Sequence, residues 1–272
     1  MTAKVHPLLF DLERIERLSW EDMFRVFPPP LAQTLGLESA EINHALFLMA
    51  SRVPQFQFNW LAGTGLNGDD GQSIPEAVER FRHAGQRRFI IQIPPGPNSG
   101  NCIARAREAG LVEQPLAWAK FCRPTAGAPV VNTALTIREV GADESALFAA
   151  TAVAGFGMPP PLASWLSRIV GRPHWHAYLS LAGSEAAGAA ALYVEGDFAW
   201  LGIGATKPDM RKRGGQSALL ARRIADAGRF GAKYAVTETG VPQPGQPAPS
   251  YANIMKAGFE VAYVRPNWGE PA

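Results

Sequence analysis

The residues best suited to chemistry lie between positions 206 and 233. There Lys207, Arg211, Lys212, Arg213, Arg222, Arg223, Arg229 and Lys233 are opposed only by Asp209 and Asp226, in a chain whose formal charge totals +2. Arg211-Lys212-Arg213 run straight into Gly214-Gly215, after which Gln216-Ser217-Ala218-Leu219-Leu220 opens a helical pattern. The first turn of a helix leaves backbone N–H groups unpaired and carries the positive end of the dipole. A basic, glycine-rich turn at that point is a seat for phosphate, because glycine has no Cβ to hold a ligand away from the amides. The chemistry implied is recognition of a phosphate-bearing small ligand. Neither the Gly-Lys-Ser/Thr of a Walker loop nor a Gly-x-Gly-x-x-Gly fingerprint is present.

The elements that must position this turn are legible on either side of it. Phe198 to Thr206 is an apolar run of strand character, and Leu220, Ile224 and Ala227 recur at helical spacing. Further on comes Asn253-Ile254-Met255-Lys256-Ala257-Gly258-Phe259, a short helix with a glycine stop. Arg211-Lys212-Arg213-Gly214-Gly215-Gln216, with Pro208 ahead of it, resembles the coenzyme A diphosphate loop of the GNAT (N-acetyltransferase) superfamily, and Gly258-Phe259 resembles the end of that superfamily's last helix. Gln216 departs from the pattern, since a small residue is usual there; its amide either donates to a phosphate oxygen or turns into solvent.

The resemblance implies an α/β (α+β) fold, a mixed and mostly antiparallel sheet flanked by helices. It also implies acyl-CoA, most simply acetyl-CoA, as co-substrate, with no metal. By the same resemblance the cofactor would run along Gly204, Ala205 and Thr206, where Gly202 and Gly204 fit a bulge. Its diphosphate would rest on Arg211, Lys212, Arg213, Gly214, Gly215, Gln216 and Ser217, with Asn253 nearby. The paired helices after Asp143 and after Pro159-Pro160-Pro161 would cover an acceptor pocket, which makes Met158 and Trp165 either pocket or core residues.

Acyl transfer to an amine needs the ammonium deprotonated, because a cation has no lone pair to attack with. Glu238, in Tyr234-Ala235-Val236-Thr237-Glu238, is the first candidate for general base, Glu195 the fallback, and a water chain the third option. The tyrosine that commonly protonates the departing thiolate in the superfamily is replaced here by Ile254, leaving Tyr251 as a conditional substitute. Ala248 also stands where a subgroup carries Asn. Two functional readings follow: an acyl-CoA-dependent N-acyltransferase acting on a small-molecule or peptide amine, and an acyl-CoA-binding module without catalysis. A nucleic-acid patch at Arg211-Lys212-Arg213 is disfavoured, since no aromatic residues interleave the cations.

The chain also repeats itself. Trp60-Leu61-Ala62-Gly63-Thr64-Gly65 resembles Trp200 to Ala205, Gln72-Ser73 resembles Gln216-Ser217, and Arg105 to Leu111 resembles Asn253 to Phe259, at offsets of 140 to 148. The first copy lacks the surplus charge, and Asp69 and Asp70 stand at its helix start, where carboxylates suit the dipole and repel a diphosphate. Residues 1–125 are therefore read as a degenerate GNAT-like domain, 126–133 as a linker and 134–272 as the acyl-CoA-binding catalytic domain. An unrelated α/β domain, or a second binding site in the first half, are the weaker alternatives.

Asp69 and Asp70 are read as helix caps in preference to metal ligands. His174 and His176 share a strand face without a third ligand in view, so no metal is expected there. Cys102 and Cys122 build neither a disulfide framework nor a metal set. With no signal-peptide pattern and no long apolar run, the expectation is a soluble, cytoplasmic protein that does not engage a membrane; an oligomer is compatible with the sequence.

Overall fold

The computed structural model describes residues 5–53 and 55–271. Helix α1 (Leu9–Arg25) buries Leu9, Leu12, Ile15, Met23 and Phe24 along one face. Ser19, a residue type that often caps a new helix, does not break it, because its hydroxyl donates to the Glu16 carbonyl at 2.7 Å and stays inside the helix as a back-bonded residue. The following prolines open α2 (Pro29–Leu35), since proline's fixed φ suits the first helical turn, where no N–H is needed.

The mostly apolar run from Glu41 to Ala50, short enough for one strand, instead belongs to a hairpin of β1 (Leu37–Ile42) and β2 (Ala45–Ala50). Asn43 and His44 make the turn at φ of 44° and 68°, a conformation asparagine tolerates. Phe56–Phe58, despite the alternation of Phe56, Phe58 and Trp60, is a single 3-10 turn leading into β3 (Trp60–Ala62). Then follow α3 (Ser73–His83), β4 (Ile90–Gln92), α4 (Ser99–Glu108), β5 (Val112–Glu113) and β6 (Trp118–Pro124).

The second half runs β7 (Thr136–Val140), α5 (Ser145–Phe156), a short α6 (Ala163–Leu166), then the antiparallel meander β8 (Trp175–Ala182), β9 (Glu185–Glu195), β10 (Phe198–Trp200). A two-residue β11 (Ala205–Thr206) continues against β9, and α7 (Gly215–Arg229), β12 (Tyr234–Gly240), α8 (Pro249–Lys256), β13 (Glu260–Arg265) and β14 (Asn267–Gly269) close the chain.

Two sheets result, ordered β1-β2-β3-β4-β14-β5 and β7-β8-β9-β10-β12-β6-β13. The internal repeat is architectural: β3 and β4 are parallel across α3, as β10 and β12 are across α7. The halves also exchange strands. β6, from the first half, lies between β12 and β13, and β14, from the last residues, lies between β4 and β5. A boundary drawn near residue 125 divides the chain but not the sheets. One apolar cluster accordingly runs from Leu9 and Trp60 in the first half to Trp165 and Trp200 in the second. Among the described residues, no helix is long and apolar enough to cross a membrane.

Candidate active site

β10 and β12 are bonded only through their first residues. Leu201 N–H donates to the Val236 carbonyl at 2.8 Å and Thr237 Oγ1 to the Leu201 carbonyl at 2.9 Å; beyond that point the strands part. β12 continues along β6, whereas residues 201–204 bulge, so that Ala205 pairs with Ala189, one residue out of the register set by Trp200 and Tyr193. Ile203 sits in the bulge at φ 51°, a conformation a β-branched residue adopts only under constraint. The constraint is Arg223 of α7, whose Nη1 donates to the Ala191 and Gly202 carbonyls at 2.8 Å each. Burial lowers its pKa to about 10, which leaves it a cation at neutral pH.

The amides of Ile203 and Gly204 donate to no acceptor among the described residues, and both residues line a cavity of ≈ 410 Å³ that opens between the parted strands.

Glu238 stands at the fork of the same cavity. Trp200 Nε1 donates to its two oxygens at 3.0 Å, and Lys120 Nζ lies 3.5 Å from Oε2. Behind Lys120 is a buried cluster: Glu16 bonds Lys120 and accepts from Arg265 at 2.6 Å, and Glu13 accepts from Arg265 at 3.1 Å and from the Tyr263 hydroxyl at 2.7 Å. Lys120 and Arg265 are fully buried, Glu13 and Glu16 nearly so. These two cations and two carboxylates balance each other, and Glu238 is the unbalanced fifth charge. Burial, with the Glu16 carboxylate second, pushes its pKa up to about 7. Glu16 suffers the same burial, but Arg265 and then Lys120 hold it at about 2.

The turn before α7 is exposed at Arg211, Lys212, Arg213 and Gly214. Gly214 takes φ 81° as the cap of α7, and Thr133 Oγ1 braces the turn by donating to the Arg213 carbonyl at 2.7 Å. Among the described residues, no carboxylate pairs with Arg211, Lys212 or Arg213. Gly215 serves a different end from the one expected, since a Cβ there would meet Leu135 at 3.0 Å inside the protein and so would not face a ligand. Gln216 reaches the cavity wall, and Asn253 Nδ2 donates to its Oε1 at 2.8 Å, which turns the free Gln216 amide N–H₂ outward as a donor. Exposed unpaired cations, a helix mouth and an open bulge leading inward suit a ligand with an anionic head and a long polar arm.

No family model matches the sequence, and no curated protein matches it. Solved structures do. A GCN5-related N-acetyltransferase from Kribbella flavida superposes with TM-score 0.61 at 16% identity, over 96% of this chain and 96% of that one. One from Sphaerobacter thermophilus gives TM-score 0.58 at 16% identity over 85% and 75% of the two chains, and a tandem GNAT protein from the clavulanic acid biosynthesis pathway gives 0.51 at 18% over 76% and 70%. The chain carries the GNAT fold, in tandem.

The two GNAT halves treat the same helix mouth differently. In the first half the Asp69 carboxylate, almost fully buried, accepts from Ser73 Oγ at 2.6 Å, Thr64 Oγ1 at 2.8 Å, and the amides of Gly65 and Gly71 at 3.0 Å and of Ser73 at 3.2 Å. Burial alone would raise its pKa, but the Ser73 hydroxyl and the Gly65 amide, with their neighbours, hold it below the usual carboxylate range. The first half thus fills its own anion cradle with a side chain.

In the second half, Gly204, Gln216 and Glu238 line the cavity; Ala205 and Thr206 pair with β9, and Arg211 to Gly214, which are exposed, and Ser217 do not line it. Tyr251 is not on the cavity wall: its ring packs edge-on against Phe121 at 5.1 Å, and the neighbours that face the cavity are Ser250 and Ile254, four residues apart on one side of α8. Glu195 is paired with Arg14 at 2.6 Å and also lies off the cavity. Met158 and Trp165 do line it.

Sequence reading missed Lys120, Glu16, Trp200 and Ser250. The available signal was charge in an apolar pattern, Lys120 within Trp118-Ala119-Lys120-Phe121 and Glu13 and Glu16 beside the α1 stripe.

Proposed function

We propose that this GNAT-fold protein is an acyl-CoA-dependent N-acyltransferase, acting by direct attack of an amine on the thioester of acetyl-CoA or a related acyl-CoA. The observation that carries this reading is Glu238, a carboxylate with its pKa pushed up to about 7, at the fork where β10 and β12 part. A base that titrates near neutral pH removes a proton from an ammonium and still exists as carboxylate in the working range.

Arg211, Lys212 and Arg213 would hold the phosphates together with the amides at the start of α7. The Ile203 and Gly204 amides would face the thioester carbonyl and hold its oxygen as it gains charge. Acyl-CoA, when bound, supplies an activated thioester. Glu238 takes the proton from the amine, whose nitrogen bonds the acyl carbon while the C–S bond breaks. The sulfur leaves as thiolate, and Ser250, which lines the cavity where Tyr251 does not, is our candidate hydroxyl for relaying a proton to it. The binding-module alternative has no use for a carboxylate held away from its ordinary pKa at the reacting position.

The experiment is release of free thiol from acetyl-CoA across a panel of amines, run beside thermal unfolding. Acetyl-CoA should raise the melting temperature, and Arg211→Glu with Arg213→Glu should abolish that rise. Absence of any shift with any acyl-CoA defeats both the enzyme and the binding-module readings, whereas a shift without thiol release leaves only the latter.

A further inference from the structure

The cavity does not stop at Glu238. On one side of it lie Gly202, Gly204, Gln216 and Leu220, the route toward the basic turn. Much of the remaining wall is aromatic and comes from both halves: Trp20 and Met23 of α1, Phe58, Trp118 of β6 and Trp165 of α6, with the uncharged amides of Gln55 and Gln57 beside them. Continuity is direct, since Trp200, which donates to Glu238, meets the Trp20 ring at 6.4 Å, and Phe58 meets Trp165 at 5.7 Å. Phe156, half exposed at 50%, and Met158 add to the apolar lining.

Charge is sparse in this space. Glu238 and Arg223 are the charged residues among those lining it; the Arg223 guanidinium is committed to two carbonyls, and Glu238 serves the reacting nitrogen. Asp22, in α1 between the wall residues Trp20 and Met23, is held by Arg172 at 2.7 Å and Trp175 at 2.8 Å and does not line the cavity. Trp165 uses its indole N–H on the Met23 carbonyl at 2.6 Å, so it offers a ligand only its ring. A second charge on the acceptor would be buried here without a partner, at a cost an apolar body does not incur. Glu238 must reach the amine, so the walls beyond it hold whatever carries that amine.

We propose, resting on the acyl-transfer reading above, that the acceptor is a monoamine on an apolar, aromatic-sized body, an arylalkylamine in chemical class. The first half, which closes its own anion cradle with Asp69, supplies Trp20, Met23, Phe58 and Trp118 to select it.

The test compares 2-phenylethylamine, spermidine and L-lysine as acceptors with acetyl-CoA, read as thiol release, and adds octanoyl-CoA as a second donor. The expected result is a kcat/KM at least about tenfold higher for 2-phenylethylamine than for either polar amine. Met158→Glu should lower that value about tenfold through KM and raise kcat/KM for a linear diamine, while Met158→Leu keeps the wild-type order; unfolding curves confirm that both variants fold, and the wild-type panel decides alone if one does not. Preference for spermidine or lysine overturns the proposal while leaving acyl transfer standing. So does indifference to the amine combined with a strong preference for octanoyl-CoA, which would assign the aromatic walls to the acyl chain. No thiol release with any amine defeats the underlying reading and this one together.

Discussion

At the level of single residues, the proposed function rests on an imbalance among buried charges. Glu13, Glu16, Lys120 and Arg265 neutralise one another, and Glu238 is left to choose between proton and charge. Glu238→Gln should lower kcat by roughly 10²- to 10⁴-fold while the acetyl-CoA melting shift persists, as measured by thiol release and thermal unfolding. In the wild type kcat/KM should rise with pH through an apparent pKa near 7 and then level, and the Gln variant should lack that limb.

The stability sign follows from the same shift. A carboxylate raised from 4.5 to about 7 binds more protons folded than unfolded across that window, so its ionisation destabilises the fold as pH rises through it. Glu238→Gln should therefore melt higher than wild type at pH 8, and the gain should fade toward pH 4.5. Lys120→Met removes the nearest cation from Glu238, so the inflection in kcat/KM should move upward; an unchanged inflection would detach Lys120 from the site. At this scale Glu238 was legible as an acid near the end of a strand, but its pKa was not, because the partners that set it are far away in sequence.

Elements place these residues. The bulge at 201–204 parts β10 from β12, and its shape depends on Gly202, where a Cβ would fall 1.9 Å from the Trp200 ring. Gly202→Ala should thus displace Trp200, which donates to Glu238, and lower kcat with little change in acetyl-CoA affinity. The helix mouths of α3 and α7 differ in what fills them. Asp69→Ala should cost about 3 kcal/mol, read from denaturant unfolding, since it leaves the Thr64 and Ser73 hydroxyls and the Gly65 amide without their acceptor. It should leave the acetyl-CoA shift intact, which separates a structural carboxylate from a binding one. The basic turn, the strand leading to it and the glycine stop after α8 were readable because each is a local pattern. The β1–β2 hairpin and the unbroken α1 were not, since Asn43-His44 and Ser19 are each compatible with a second local outcome.

The whole molecule should behave as one folding unit, because its sheets are interleaved. Residues 134–272 alone lack β6, which bonds β12 on one side and β13 on the other, and they also lack α1. That fragment should be insoluble or unfolded by circular dichroism and should not bind acetyl-CoA. Co-expression of 1–133 with 134–272 should restore a complex that copurifies and shows the melting shift.

The order of elements in the second half from β10 to α8, and the location of the basic turn, were determined by the sequence itself, through glycines, cations and apolar spacing that act over a few residues. The internal repeat was equally visible, since it is a comparison of the chain with itself. Which strand belongs to which sheet, which face of α8 meets the cavity, and what protonation state Glu238 favours were decided only by tertiary structure. Those outcomes depend on burial and on charges brought together from residues 13, 16, 120, 238 and 265, and desolvation is a property of an assembled interior that no short stretch of chain possesses.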